Sequence, residues 1–210
     1  WIDFMPSGSY RLMTGAETAA EFEKVYEISV PLIETQLFLP WLKNHLEKSN
    51  VAFIHKTIGD LQELNKDYDF VVNCTGLGAR GLCNDKELIP VRGQVALLSP
   101  LINLSIYLDN EKPLYVVPRK DAIIVGGTYE ENIDVEITEP ETVNRLLTTA
   151  YDALPLLKSQ TVIGSWAGLR PYRKDVRVEM DIEGKIIHNY GHGGSGFTLA
   201  FGCANTVLQM

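Results

Sequence analysis

His188-Asn189-Tyr190-Gly191-His192-Gly193-Gly194-Ser195-Gly196-Phe197-Thr198 is the stretch on which the fold turns. It reads as the end of a strand over Lys185–Tyr190, a glycine loop, and the start of an apolar helix over Phe197–Met210. Four glycines in the six residues Gly191–Gly196 cost backbone entropy on ordering, so something is expected to approach that backbone closely. These six residues match Gly-x-Gly-x-x-Gly, the pattern that lets N–H groups at a helix N-terminus reach a phosphate. A second match, Gly76–Gly81, directly follows an apolar strand over Asp69–Cys74. Neither match completes a dinucleotide fingerprint, which needs a strand-helix-strand unit and an acidic residue about 20 positions on. Only 14 residues follow Gly196, and no Asp or Glu stands near position 96. Neither loop is therefore expected to be the primary pyrophosphate cradle.

Upstream of the loop, Trp166-Ala167-Gly168-Leu169-Arg170-Pro171-Tyr172-Arg173 sets Arg170 among aromatic, apolar and turn residues. A guanidinium in such a frame can hold a carboxylate through its planar fork, or pair with an acid of the chain itself. Tyr115, in Leu114-Tyr115-Val116-Val117-Pro118, can set a phenol beside such a carboxylate or serve as a core or edge tyrosine. His45, His55, His188 and His192 show no metal-ligand spacing.

The rest of the chain alternates between two patterns. A helix is expected from Thr35 to Asn50, then a strand over Val51–Thr57. Asp69–Cys74 reads as a strand buried on both faces of a parallel sheet. Gly93–Leu98, Ser105–Leu108, Leu114–Val117 and Ala122–Gly126 are short strands spaced too closely for intervening helices, which implies antiparallel pairing. Glu139–Leu154 is a helix with Val143, Leu146, Leu147, Ala150 and Leu154 on one face. Thr161–Trp166, Arg177–Asp181 and Lys185–Tyr190 read as strands. The expected fold class is α/β plus α+β, with an α/β layer (about 35–85 and 161–210) interleaved with a mainly antiparallel sheet (about 88–135).

Composition narrows the function classes. The 210 residues are 45% hydrophobic and 22% charged, as in ordinary soluble globular domains. A net charge of −8 argues against nucleic acid as a partner, and no apolar run approaches the ~18 residues of a membrane span. Cys74, Cys83 and Cys203 have no Cys-x-x-Cys spacing, so neither a disulfide framework nor a structural zinc is expected, and a reducing compartment is preferred. The chain begins at Trp1 without a basic-then-apolar leader, which suggests a piece of a longer protein.

Four segments in order, Asp69–Gly76, Val91–Val95, Gly168–Pro171 and His188–Thr198, resemble the D-amino-acid oxidase family of flavoenzymes, a pattern that D-aspartate oxidases share. Leu114–Pro118 and Ile123–Thr128 resemble the family's substrate-domain strands. The resemblance implies an FAD-dependent enzyme that deaminates D-amino acids oxidatively to imino or 2-oxo acids and releases hydrogen peroxide. It implies residues 36–87 and 161–210 as a partial, Rossmann-like FAD-binding domain, and 1–35 and 88–160 as an interleaved substrate domain. It places Tyr115, Arg170 and Ser195 at the substrate, and Val72, Thr75, Gly76, Gly193, Gly194, Gly196, Phe197 and Thr198 at FAD. The implied partners are an amino-acid substrate, dioxygen and a second copy in a homodimer; the implied location is the cytoplasm, or the peroxisome in a eukaryote. Glu111 and Ser195 replace residues that are commonly tyrosine in the family, and the family's opening dinucleotide-binding unit would precede residue 1. A glycine- or sarcosine-type amine oxidase and a non-catalytic binding module are the alternative readings.

Overall fold

The structure, a computed structural model, describes residues 5–14, 24–181 and 183–210. It divides into two compact units, residues 1–55 and 56–210. In the first, β1 (Tyr10–Leu12) pairs antiparallel with β2 (Tyr26–Ile28). Helix α1 (Thr35–Lys48) follows, carries Pro40 within it and buries none of its side chains. The expected α1 is present. Val51–Thr57 is not a strand: those residues are exposed or half-exposed with no ladder partner among the described residues, and an isolated strand leaves its backbone groups unpaired. Residues 1–4 and 15–23 of the expected 1–35 segment lie outside the described residues.

The second unit is built on one eight-stranded sheet. Its elements in chain order are β3 (Val71–Asn73), α2 (Ala79–Leu82), β4 (Ile89–Leu98), β5 (Tyr107–Asp109), β6 (Leu114–Pro118), β7 (Ile123–Gly126), β8 (Glu130–Glu131), α3 (Pro140–Ala153), β9 (Val162–Met180), β10 (Ile186–His192) and α4 (Gly196–Val207). The strand order is β3-β10-β9-β4-β7-β6-β5, with β8 on β4. Only β3 and β10 run parallel, so the fold is mixed α/β with a mostly antiparallel sheet.

The short strands of the middle region form as their turn signals require. Helix α3 starts where Pro140 occupies the first turn after an extended Glu139, and it ends before Pro155. Its Leu146, Leu147 and Ala150 bury against Ala96, Leu98, Leu114, Val116, Ile123 and Val125, which share one face of the sheet. A full burial of each such aliphatic side chain stabilises by roughly 1.5–3 kcal/mol, so this face is the main anchor of the unit.

Two further sequence expectations are corrected. β3 is not buried on both faces: Val71 and Asn73 are buried while Phe70 and Val72 are 60% and 44% exposed, because only the Val71 face is packed, against Leu61 and Ile186. Residues 166–173 are not a break between two strands. β9 runs unbroken, pairing with β4 from Val162 to Tyr172 and with β10 from Tyr172 to Met180. Gly168 and Pro171 look like breakers in sequence. Gly168 instead lies opposite Gly93, and Pro171 lies opposite Pro90, just before β9 passes from one partner to the other.

Candidate active site

The face of the sheet away from α3 has a floor of glycines. Gly168 on β9 pairs with Gly93 on β4, and Gly126 on β7 lies one step further along, paired with both Val95 and Tyr115. A Cβ on Gly93 would fall 2.3 Å from Arg170 Nη2. One on Gly126 would fall 2.1 Å from Tyr115 Cζ, and one on Gly168 would fall 2.2 Å from Trp166 Cη2. Three missing side chains thus let a guanidinium, a phenol and an indole lie down on the sheet. The period of two along β9 puts Trp166, Gly168 and Arg170 on this same face.

Arg170 and Tyr115, 55 residues apart in sequence, meet here, with the guanidinium charge close enough to act on the phenol. Burial pushes the Tyr115 phenol up, and the Arg170 charge only partly offsets it, so the hydroxyl stays protonated and available as a donor at neutral pH. Arg170 Nη1 donates to the Thr128 carbonyl at 3.1 Å, which fixes the fork. The Thr128 segment is fixed in turn. Its Oγ1 accepts the Gln94 N–H at 2.9 Å, and Gln94 Nε2 donates to Glu130 at 2.9 Å. Arg92 pairs with Glu130, and with Glu139 at 2.7 Å. Nothing in the sequence pattern marks Gln94 or Arg92 for this role; they become visible only when β4, β8 and α3 are assembled.

Both glycine loops arrive at the same end of the sheet, because the strands that lead into them, β3 and β10, are parallel. After β3, Thr75 donates from its hydroxyl (2.7 Å) and its N–H (3.2 Å) to Asn73 Oδ1, and Gly76 turns with φ +54°. The nearest atom to a Cβ on Gly76 is in Pro171, next to Arg170. Near the end of β10, Gly191 (φ +88°) sits at a register shift, and after the strand Gly193 (φ +54°) begins a 3-10 turn, Gly193–Ser195, that opens α4. These positive φ values strain any side-chain-bearing residue. Gly194 stands over the Arg170 stem, at 3.5 Å from a Cβ position to Cδ, and Gly193 stands over the Tyr172 ring. Ser195 is exposed, and no side chain caps the N-terminus of α4, where Gly196, Phe197 and Thr198 follow.

Behind β10, on the face of His188 and Tyr190, lies a second polar cluster. Tyr190 donates to Asp85 at 2.9 Å and accepts from Arg177 at 2.6 Å. Arg173 bonds Asp85 at 3.1 Å and Glu87 at 2.8 Å. His188 Nδ1 sits 3.3 Å from Asn73 Nδ2, and Asn73 also donates to Cys83 at 3.2 Å. This cluster holds β3, β9 and β10 in register, and the residues Arg173 and Arg177 are thereby occupied. A charged concavity lined by Gln62, Arg177, Glu179 and Asp181 lies at the β9–β10 turn, the opposite end of the sheet from the glycine loops. No group of three or more metal-ligating side chains gathers among the described residues.

The family model "FAD dependent oxidoreductase" matches residues 7–210. The chain is 35% identical over 191 residues to a D-amino-acid oxidase of Rubrobacter xylanophilus, covering 88% of this chain and 59% of that one. It is 34% identical to a D-amino-acid oxidase of Dictyostelium discoideum (85% and 54% covered), and 30% identical to human D-aspartate oxidase (100% and 63%). The chain thus spans between about half and two thirds of the length of these relatives. A solved glycine oxidase from Bacillus cereus superposes with a TM-score of 0.60 over 66% of this chain and 41% of that one, at 23% identity, a likeness of fold alone. With a family model covering all but the first six residues, the chain belongs to the FAD dependent oxidoreductase (DAO) family.

Proposed function

We propose that this chain is part of an FAD-dependent oxidase that deaminates D-amino acids to imino and then 2-oxo acids, with dioxygen reduced to hydrogen peroxide. The observation that carries the reading is the Arg170 fork, laid on Gly93 beside the Tyr115 hydroxyl and under the Gly194 backbone. Relatives that are D-amino-acid and D-aspartate oxidases support the same substrate class.

The residues present fit the flavin end of FAD. No side chain caps the start of α4, and the positive end of its dipole faces the glycine loop, a favourable place for an electron-rich acceptor. Asn189 Oδ1, on the strand that leads into this loop, is buried without a hydrogen-bond partner. Gly193, Gly194, Gly196, Phe197 and Thr198 would hold FAD from this side, and Val72, Thr75 and Gly76 from the end of β3. The chemistry FAD supplies when bound is acceptance of a hydride from the substrate α-carbon and reoxidation by dioxygen. In this reading residues 36–87 and 161–210 serve the cofactor, and 1–35 and 88–160 serve the substrate.

The chain's own residues bind and orient. Arg170 takes the substrate carboxylate through two parallel N–H bonds, and Tyr115 donates a third. Thr128 keeps the fork from rotating. The Gly193–Ser195 backbone offers carbonyls to the substrate amine, with Ser195 at the rim. The α-carbon is thereby presented in one orientation, which is the source of rate in such a positioning site. The test uses the complete native protein: Arg170→Ala is expected to cost roughly 2–5 kcal/mol in kcat/KM for carboxylate substrates. Arg170→Lys is expected to recover little of it, since a point charge does not reproduce the fork. Unchanged kcat/KM in Arg170→Ala overturns the assignment.

A further inference from the structure

Resting on that reading of Arg170, we infer that Trp166 sets substrate preference: its indole receives the substrate side chain and favours D-amino acids with bulky apolar or aromatic groups. Gly168 and Gly93 are directly opposed, and opposed Cβ positions lie about 4.5–5.5 Å apart. The place of the Gly168 Cβ is filled by the outer ring of Trp166, with Cη2 at 2.2 Å and Cζ2 at 2.7 Å. The place of the Gly93 Cβ is filled by the Arg170 guanidinium. Indole and guanidinium therefore lie side by side on the glycine floor, with the Tyr115 ring beyond Arg170 over Gly126.

Trp166 is nevertheless 61% exposed. It is laid along the sheet with its upper face open, the posture of a contact surface and not of a core residue. An amino acid whose carboxylate sits on Arg170 can turn its side chain toward that ring, since the two groups occupy opposed positions on the sheet. A second carboxylate on the side chain would meet an indole where it needs a cation. The nearby arginines do not serve: Arg92 is on the opposite face of the sheet with Glu130 and Glu139, and Arg173 is held by Asp85 and Glu87. The ring thus selects for apolar surface and against acidic side chains.

The test takes Trp166→Ala and Trp166→Phe in the complete FAD-loaded protein, with D-phenylalanine, D-alanine and D-aspartate as substrates. Loss of an apolar contact of this size is expected to raise KM for D-phenylalanine about tenfold or more, with kcat little changed. KM for D-alanine should hold within about twofold, and Trp166→Phe should recover most of the D-phenylalanine preference. Binding of phenylacetate against acetate, by calorimetry, should lose the same preference without turnover. An unchanged D-phenylalanine to D-alanine ratio overturns the inference, whether all substrates fall together or none does. Should Trp166→Ala fail to fold, Trp166→Thr takes its place, and an unaltered D-phenylalanine to D-alanine ratio together with an unaltered phenylacetate preference in that variant is the overturning result. Arg170→Ala measured alongside separates the two ideas. If it too is silent, the site reading has failed; if it is damaging while the Trp166 ratio holds, only the Trp166 role has.

Discussion

A glycine whose missing side chain is occupied by someone else's atoms is a sharper marker of a site than a glycine in a turn. Gly93 is such a residue: the nearest atoms to its Cβ position belong to the tip of Arg170, a flexible side chain that can be pushed aside. Gly93→Ala should therefore fold, with a stability change within about 1 kcal/mol, since a strand tolerates Ala better than Gly. Its guanidinium should be displaced by that methyl, and the carboxylate affinity should fall about tenfold or more, as for a misplaced positioning group. Thermal denaturation and substrate titration of the same variant check both halves; a loss of stability without loss of affinity would make Gly93 structural. Gly126→Ala poses the harder case, because the atoms it meets are the Tyr115 ring, which cannot bend.

At the scale of elements, the seam of β3, β10 and β9 is stitched by ionisable groups, so its stability should depend on pH in a definite way. Burial alone would raise Asp85, but the Tyr190 hydroxyl, the Glu87 N–H and Arg173 outweigh it and hold the carboxyl below its ordinary value. Its contribution is present above about pH 4 and is lost as pH falls through the lowered value. Burial, then the Arg177 charge, holds His188 below the usual histidine value, so its neutral form favours folding and stability falls as pH drops below about 6.5. Tyr190 runs the other way: burial first, then the bond to Asp85, push it up to about 12. Its contribution is complete below about pH 10 and is lost as pH rises from there toward 12. Tyr190→Phe should cost about 1–3 kcal/mol at neutral pH and flatten the alkaline limb. Urea titrations between pH 3 and 11 check the sign of each limb.

The same seam explains what the sequence made legible. Strands β4, β6, β7 and β10 and helices α1, α3 and α4 are local patterns of period 2 or 3.6 with turn residues at their ends, and they stand close to where the periodicity sets them. Val51–Thr57 has the composition of a strand but lacks a partner, and composition carries no information about partners. β9 was hidden because Gly168 and Pro171 are local breakers, and only pairing with Gly93 and Pro90 makes them tolerable. Of the site, Arg170, Tyr115 and the glycine loops were legible as candidates, through residue type and resemblance. Trp166 was legible only in part: Trp-x-Gly-x-Arg has period 2, but that spacing speaks only once the segment is known to be a strand. Thr128, Gln94 and Arg92 act through contacts across 34 to 47 residues and leave no local trace.

For the molecule as a whole, the deciding fact is how much apolar surface these 210 residues leave open. α4 buries none of its side chains, and Phe201 and Leu208 in and beside it are 74% and 85% exposed. α1 likewise buries none, and Leu39 and Trp41 are more than half exposed. Among the described residues β3 has no partner on its outer edge, and Phe70 and Val72 are exposed beside it. Exposed large apolar side chains and free strand edges of this kind favour association. In the proposed reading the glycine loops serve the flavin end of FAD, while a pyrophosphate needs the N–H groups of a glycine turn inside a complete strand-helix-strand unit with its acid, which neither loop has. The 210-residue polypeptide alone is therefore expected to self-associate and to retain FAD weakly or not at all, with no D-amino-acid turnover. The polypeptide is purified with excess FAD, desalted, and examined by visible absorbance, light scattering and peroxide detection. A stoichiometric flavin band on a monodisperse monomer that oxidises D-amino acids would mean that the exposed faces need no cover and that the two loops suffice to hold the cofactor.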